Sequence, residues 1–204
     1  MTSVVTADGL GLRTRRGWVF RDVTLEVAPG ELVALTGPAG SGRTSLLLAL
    51  AGYFRTNAGT HQLTCTAGVG LVSGLNEPEP GLTAAEHVQE RLLLLGRRPR
   101  GRGVPANRVS ELLADLPVDE DTLGRDLTPY QRQRLMLRLA EIGEPDLFAV
   151  DDVDTGLSAE ERAWLWQALT DLTAQGHTVL ATCRELTGCR QAAGKATEYS
   201  LEGN

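Results

Sequence analysis

The sequence predicts an α/β fold, and three stretches of the chain carry that prediction. Residues 18–27, WVFRDVTLEV, alternate apolar and polar side chains and indicate a strand, and the run ELVALTG after the turn at 28–30 indicates a second, buried strand. The stretch RTSLLLALAG that begins at Arg43 has apolar residues at helical spacing. The run DLFAVDD at 146–152 indicates a further buried strand. Strands that alternate with helices are typical of an α/β fold.

Composition limits the function classes that need to be considered. The 204 residues are 42% hydrophobic and 23% charged, which predicts one globular unit, or one core with an insert, long enough to bury a core. The net charge of −6 argues against a nucleic-acid partner. No apolar run approaches the roughly 20 residues of a membrane span, so we expect another chain to do any membrane crossing. Three cysteines without metal spacing fit a reducing cytoplasm.

The first two strands lead into a glycine-rich segment. We expect the Ala28-Pro29-Gly30 turn to join 18–27 and 31–37 as a hairpin, with the second strand buried. The glycine segment follows at once, and the helix after it is expected to end at Gly52. A glycine loop therefore lies between a buried strand and a helix.

That placement predicts a phosphate-binding loop. Backbone N–H groups of such a loop, together with the positive end of the next helix, surround phosphate oxygens, and residues without Cβ let the backbone approach. An unliganded glycine-rich turn is the alternative. Thr44 is expected to place its hydroxyl on Mg²⁺. The candidate nucleotide-binding residues are Gly37, Pro38, Ala39, Gly40, Ser41, Gly42, Arg43, Thr44 and Ser45.

Arg43 stands where loops of this kind usually carry lysine. Its guanidinium is charged and can bind phosphate through two N–H groups, but it is longer and flatter than an ammonium group. Arginine outnumbers lysine nineteen to one in this chain, a usage typical of a GC-rich genome. Arginine at position 43 is therefore open to two explanations, drift of base composition or selection.

Two aspartates follow the predicted strand at 146–150. Asp151 is expected at the carboxyl end of this strand, where a carboxylate holds Mg²⁺ through water, and Asp152 comes next. Taken alone, an apolar run that ends in two aspartates is common. Downstream of a phosphate loop it indicates the second half of the same site, with Thr44 and Asp151 as the metal-binding residues.

The remaining elements carry less functional information. Thr83 and Glu86 form a predicted capping box for a helix that starts there. Ser158 is expected to cap another helix, whose Trp164 and Trp166 are expected to be packing residues. The basic segment GRRPRGRG at 96–103 is either solvated surface or a docking site for a partner or for anionic lipid.

The order of these motifs resembles the ATP-binding cassette family, the nucleotide-binding subunits of ABC transporters. The resemblance covers nearly the whole chain and is strongest over Gln131–Ser158. It implies a P-loop NTPase fold with a RecA-like core, an antiparallel β-subdomain and a helical subdomain at about 75–124, all within one domain, 1–204. It also implies ATP and Mg²⁺ as cofactors, a homodimer or heterodimer with ATP between two such domains, and a separately encoded membrane permease subunit.

Several positions depart from the family pattern. Where the family signature reads Leu-Ser-Gly-Gly-Gln, this chain has Leu127 followed by Thr128, Pro129, Tyr130 and Gln131. Thr128 and Pro129 still suit the start of a helix. The metal-sensing glutamine is aligned with Gly74, the general base with Asp152, and the switch histidine with Cys183. Trp18 is the available aromatic for adenine stacking, and a core residue is the equal alternative.

The resemblance implies an ATP-binding subunit of an ABC-type exporter with weakened hydrolysis, in which Asp152 is the catalytic residue. Such a subunit is expected in the cytoplasm, at the inner face of the cell membrane. A nucleotide-binding regulatory subunit that does not hydrolyse ATP is the alternative. A small-molecule kinase is disfavoured because the Gln131–Ser158 block has no role in kinases.

Overall fold

The structure is a computed structural model that describes residues 3–96, 104–186 and 196–201. In these ranges the chain forms eight strands and five α-helices, with a short 3₁₀ helix before the fourth. The strands are β1 Val5–Thr14, β2 Gly17–Val27, β3 Leu32–Thr36, β4 Ala58–Leu63, β5 Ala67–Val69, β6 Leu147–Val150, β7 Thr178–Cys183 and β8 Thr197–Ser200. The helices are α1 Arg43–Leu50, α2 Ala84–Leu94, α3 Ala106–Leu113, α4 Pro129–Glu141 and α5 Ala159–Ala174, and the 3₁₀ helix is Gly124–Asp126.

An antiparallel sheet of three strands has the order β2-β1-β4. The hairpin in this sheet joins β1 to β2, with Val5 opposite Val27 and Thr14 opposite Gly17. The predicted hairpin between 18–27 and 31–37 is therefore wrong. Residues 28–30 do turn the chain, but β3 enters the other sheet because its five residues are all buried and both its edges pair with parallel strands.

The second sheet has five strands in the order β5-β6-β7-β3-β8, and all four of its pairings are parallel. Alternate side chains of its strands enter two different apolar clusters. Ala34 and Val179 pack with α4 and α5 on one face, whereas Leu35 and Leu180 pack with α1 and the antiparallel sheet on the other. The parallel sheet is thus the middle layer, and the carboxyl ends of β3, β6 and β7 meet at one edge.

Helices α2 and α3 contribute to a third apolar cluster. Val88 and Leu92 of α2 pack with Val109 and Leu113 of α3, and Leu135 of α4 joins them. Both helices lie within 75–124, the range that the resemblance implied to be helical. Apart from Gly96, the basic segment at 96–103 lies outside the described residues.

The predicted helix caps are confirmed. Thr83 and Ser158 each form a full capping box, with Glu86 and Glu161 respectively. Gly52 follows α1 with φ of +79°, a left-handed conformation that glycine adopts readily. None of the helices in the described ranges is long and apolar enough to cross a membrane.

The two tryptophans of α5 differ in environment. Trp166 is fully buried, as expected. Trp164 is 50% exposed, so its packing is at the surface and not in the core. Its ring lies on the surface beside Tyr130, with the ring centroids 5.9 Å apart.

Candidate nucleotide site

The glycine loop leaves β3 at Gly37 and enters α1 at Arg43. Gly37, Gly40 and Gly42 have φ values of +149°, +82° and +87°, which side chains with a Cβ rarely adopt. A Cβ at Gly37 would lie 2.6 Å from the carbonyl oxygen of Leu201, and one at Gly42 would overlap the carbonyl of Val19. The glycines are therefore required by the backbone path and by close packing.

Among the described residues, no cap side chain accepts the N–H groups at the start of α1, which face this loop. Gly42 is the N-cap residue and supplies no side-chain acceptor, so the first N–H groups of α1 have no partner within the helix. No acidic residue occupies the first turn. The Ser41 hydroxyl is buried and has no hydrogen-bond partner among the described residues. These donors, together with the helix dipole, favour an anion at this point.

Asp151 follows β6 and lies across from the loop. Its carboxylate accepts a hydrogen bond from the Thr44 hydroxyl, with oxygen distances of 2.9 and 3.1 Å, and another from the Thr182 hydroxyl. Because β7 lies between β3 and β6, Thr182 at its carboxyl end fits between the loop and the carboxylate. The structure thus brings together Thr44 and Asp151, the two residues predicted to hold the metal.

Asp152 has an unusual backbone and a fixed position. Its φ of +46° is left-handed, a strained conformation for a residue with a Cβ. Its N–H donates to the Thr182 hydroxyl at 2.8 Å. The Gln133 side-chain amide donates to the carbonyl of Asp151 at 2.9 Å and reaches that of Asp152 at 3.5 Å. Side chains from β7 and α4 therefore hold the turn that carries the carboxylate.

Burial raises the pKa of the Asp152 carboxyl, and the neighbouring Asp151 carboxylate raises it further. The Arg43 guanidinium, at 3.2 Å, lowers this pKa but offsets the increase only in part. A carboxyl whose pKa is raised is a better proton acceptor once it is ionised.

Arg43 is folded back into its own loop. Its side chain is only 9% exposed, and the guanidinium donates to the carbonyl of Gly37 and to the carboxylate of Asp152. A lysine ammonium group is a compact point charge, whereas the planar guanidinium binds two acceptors at once. In this conformation Arg43 contacts both ends of the candidate site.

The signature-like residues form a self-capped helix end. Thr128 Oγ1 accepts the N–H of Gln131 at 3.2 Å, and Gln131 Oε1 accepts the N–H of Thr128 at 2.9 Å. Pro129 has no N–H to offer. Among residues 128–131, only Tyr130 therefore has an N–H group that the capping box does not use, and this residue is 7% exposed. The start of α4 therefore has few donors for an anion on a facing surface.

Three further positions were singled out in the sequence because they depart from the family pattern or could stack on adenine. Gly74, with φ of +75°, lies in the turn after β5, and its N–H donates to Glu77. Cys183 is fully buried at the end of β7, next to Thr36 of β3. Trp18 lies in β2, one residue before Val19, which contacts the loop at Gly42, and the Arg13 guanidinium lies 5.6 Å from its ring centroid.

The donor set fits a nucleotide phosphate with Mg²⁺. The described residues include no group of three or more His, Cys, Asp or Glu side chains that would hold a metal alone. Mg²⁺ is commonly held by one or two carboxylates together with substrate phosphates and water, so Asp151 and the Thr44 hydroxyl suffice. The unpaired donors at Ser41 and at the start of α1 suit the phosphates.

Sequence reasoning missed two residues of this site, Thr182 and Gln133. A threonine is common in strands, so Thr182 gave no signal by its type. Its position did carry one, because it is a polar residue beside the carboxyl end of a strand and follows three apolar residues. Gln133 was noted only as part of a motif. Its amide is 3% exposed and faces the strand that carries Asp151.

Comparison with known proteins agrees with this architecture. The ABC transporter family model matches residues 20–155. A solved dimeric bacterial ABC transporter cassette superposes with a TM-score of 0.78 at 19% identity, covering 97% of this chain and 94% of the other. The prediction of a P-loop α/β fold with parallel and antiparallel sheets is therefore confirmed.

Curated relatives agree on the family and differ in their named substrates. The zinc import ATP-binding protein ZnuC of Roseobacter denitrificans is 34% identical over 190 residues, 90% of this chain and 70% of that protein. Nod factor export ATP-binding protein I of Paraburkholderia xenovorans is 31% identical over 180 residues, 80% of this chain. The match spans 57% of that relative's length. The chain belongs to the ABC transporter family, as one of its ATP-binding cassettes.

Proposed function

We propose that this cassette binds Mg-ATP at the glycine loop and energises or gates a membrane transporter. The observation that carries the proposal is the junction of Thr44, Asp151 and Thr182 beside a loop with unpaired donors. Mg²⁺, when bound, would neutralise phosphate charge and orient the nucleotide. Thr44 and Asp151 would hold it, and the N–H groups at the start of α1 would bind the phosphates.

A surface groove supports a membrane partner. The groove has a volume of about 480 Å³ and lies between the core and α2. Tyr53, Leu75 and Leu94 line it and are 53%, 64% and 73% exposed, which is unusual for large apolar side chains. Glutamates 77, 79 and 90 also line it. We propose that a separately encoded permease subunit docks here, with the cassette at the cytoplasmic face of the membrane.

The transport direction is part of the proposal. Several relatives are named as Nod factor export proteins, and others as zinc import proteins. We propose export, and two cassettes with nucleotide between them, either as a homodimer or with a different cassette.

Two features support slow hydrolysis. The self-capped start of α4 has few donors for the nucleotide of a facing cassette. Asp152, the proposed general base, is one methylene shorter than glutamate and is paired with Arg43. General-base help is typically worth about 10²–10⁴-fold, of which Asp152 is expected to recover part. The same features favour the alternative, a regulatory subunit that binds ATP without turnover.

Titration calorimetry with and without Mg²⁺ tests the proposal. We expect wild type to bind ATP more tightly with Mg²⁺, and Asp151→Asn to lose this difference because the metal loses its carboxylate. The exposed control Asp121→Asn should keep it. Arg43→Ala should weaken binding about ten- to a hundredfold, because a charge-assisted contact is lost. No ATP binding by wild type, or an unchanged Mg²⁺ effect in Asp151→Asn, would contradict the proposal.

Phosphate release by the same proteins separates slow hydrolysis from none. We expect turnover below about 1 s⁻¹, the lower end of ordinary enzyme rates. Turnover of several per second that Asp151→Ala abolishes would reject weakened hydrolysis. No turnover at all, with tight Mg-ATP binding, would favour the regulatory alternative.

A further inference from the structure

Arg43 and Asp152 each have a proposed role toward the nucleotide, yet in this structure they bind each other. Arg43 Nη2 lies 3.2 Å from Asp152 Oδ1, and Nη1 donates to the carbonyl of Gly37. The guanidinium therefore spans from the first residue of the loop to the turn after β6. The Arg43 side chain is 9% exposed and the Asp152 side chain is 35% exposed, so the ion pair is buried at Arg43 and partly exposed at Asp152.

The two side chains also match in length. Arginine extends further than lysine, the usual residue at position 43, and aspartate is shorter than glutamate, the usual residue at position 152. A lysine ammonium group is a single point charge, whereas the planar guanidinium offers separate N–H groups to Gly37 and Asp152. Both departures from the family pattern thus take part in a single contact.

We propose that Arg43 and Asp152 form a latch, an ion pair that holds the phosphate loop to the turn after β6 when no nucleotide is bound. Nucleotide phosphate opens this latch by binding Arg43 in place of Asp152. This inference rests on the proposed function, because it needs a phosphate at the loop. Nucleotide phosphates carry more negative charge than a carboxylate and therefore compete for the guanidinium. Release of Arg43 then frees the Asp152 carboxylate, so that phosphate capture and exposure of the base occur together.

The latch lowers nucleotide affinity, since binding must break the ion pair. Asp152→Asn should therefore tighten Mg-ATP binding. Loss of a negative charge near the phosphates would also tighten it, with no latch involved. The two causes separate in an Arg43→Met background, where the repulsion between Asp152 and phosphate remains but the competition for Arg43 is gone.

A double-mutant cycle measures this difference. Mg-ATP affinity is determined by calorimetry for wild type, Asp152→Asn, Arg43→Met and the double variant. We expect Asp152→Asn to improve affinity about three- to tenfold more in the wild-type background than in the Arg43→Met background, because a partly exposed ion pair contributes only modestly. Equal gains in both backgrounds would overturn the latch.

Urea unfolding of the same four proteins without nucleotide tests the ion pair alone. We expect the two substitutions to be coupled, so that the second costs less once the first is present. Additive costs would overturn the latch. If wild type fails to bind ATP while the unfolding cycle shows coupling, the proposed function fails and the ion pair stands. Arg43→Gln, which removes the charge but keeps a polar side chain of similar reach, replaces Arg43→Met if that variant does not fold.

Discussion

Replacement of Thr182 by valine tests whether one hydroxyl organises both aspartates. The hydroxyl is fully buried, accepts the N–H of Asp152 at 2.8 Å and donates to the Asp151 carboxylate. Valine has nearly the same shape and can do neither. A buried donor left without an acceptor costs about 1–3 kcal/mol, and a hydrogen bond to a charged group is worth about 1.5–3 kcal/mol. The new methyl group is favourable to bury and offsets part of this loss.

We therefore expect Thr182→Val to lower the free energy of unfolding by about 2–4 kcal/mol. Thr178→Val is a matched control at the other end of β7. Thr178 is also buried, but its hydroxyl accepts one neutral N–H, that of Gly30, at 3.1 Å. This control should lose only about 1 kcal/mol.

Urea unfolding monitored by circular dichroism gives both values, and calorimetry adds a second measurement. Thr182→Val should also weaken Mg-ATP binding, since Asp151 loses a partner that holds it, whereas Thr178→Val should bind as wild type does. The reasoning is refuted if the two variants are equally stable. It is also refuted if Thr182→Val binds Mg-ATP as tightly as the control.

Two further predictions concern other regions. Leu94→Asp should reduce recovery of the permease in pull-downs from native membranes, because it puts a charge into the groove. The control Leu93→Asp changes an exposed residue outside the groove and should not reduce recovery. Equal recovery with the two variants would contradict the proposed docking surface. Burial raises the pKa of the Glu141 carboxyl above its ordinary value of 4.5. The native state therefore binds the carboxyl proton more tightly than the unfolded state does. The stability that this protonated carboxyl contributes is therefore fully present below pH 4.5 and is lost as pH rises through the raised pKa. The free energy of unfolding of wild type, measured relative to Glu141→Gln, should fall as pH rises from 4.5 through the raised pKa. A difference between the two proteins that stays constant with pH would contradict this prediction.

Local signals in the sequence predicted which residues lie together at the candidate site. The glycine loop, Thr44 and Asp151 each follow a short buried strand, and parallel strands bring their carboxyl ends to one edge. Helix caps at Thr83 and Ser158 were also predictable, because a capping box involves residues only three apart.

Long-range partners could not be predicted in the same way. Alternation in β2 indicates a half-buried strand but not its neighbour, which is why the hairpin was assigned to the wrong pair. Arg43 and Asp152 are 109 residues apart, and nothing local to either indicates that they bind each other. Trp164 and Trp166 were both expected to be packing residues, and their sequence did not show that Trp166 is fully buried whereas Trp164 is half exposed.

The position of β3 in its sheet has a consequence for synthesis of the chain. β3 pairs with β7 and β8, both made long after it, and the Thr36 hydroxyl bonds Glu198, 162 residues downstream. At a synthesis rate of about 5–20 residues per second, the ribosome adds Glu198 roughly 8–30 s after Thr36. Until then the edge of β3 that pairs with β8 lacks its native partner, and the other edge gains its partner only when β7 has been made.

The loop itself depends on the same late segment. The N–H of Leu201 donates to the carbonyl of Thr36, and the Leu201 carbonyl packs against Gly37, where the loop begins. A nascent chain that has not yet added β8 lacks this support. We therefore expect nucleotide capture at the loop only after β8 has been synthesised.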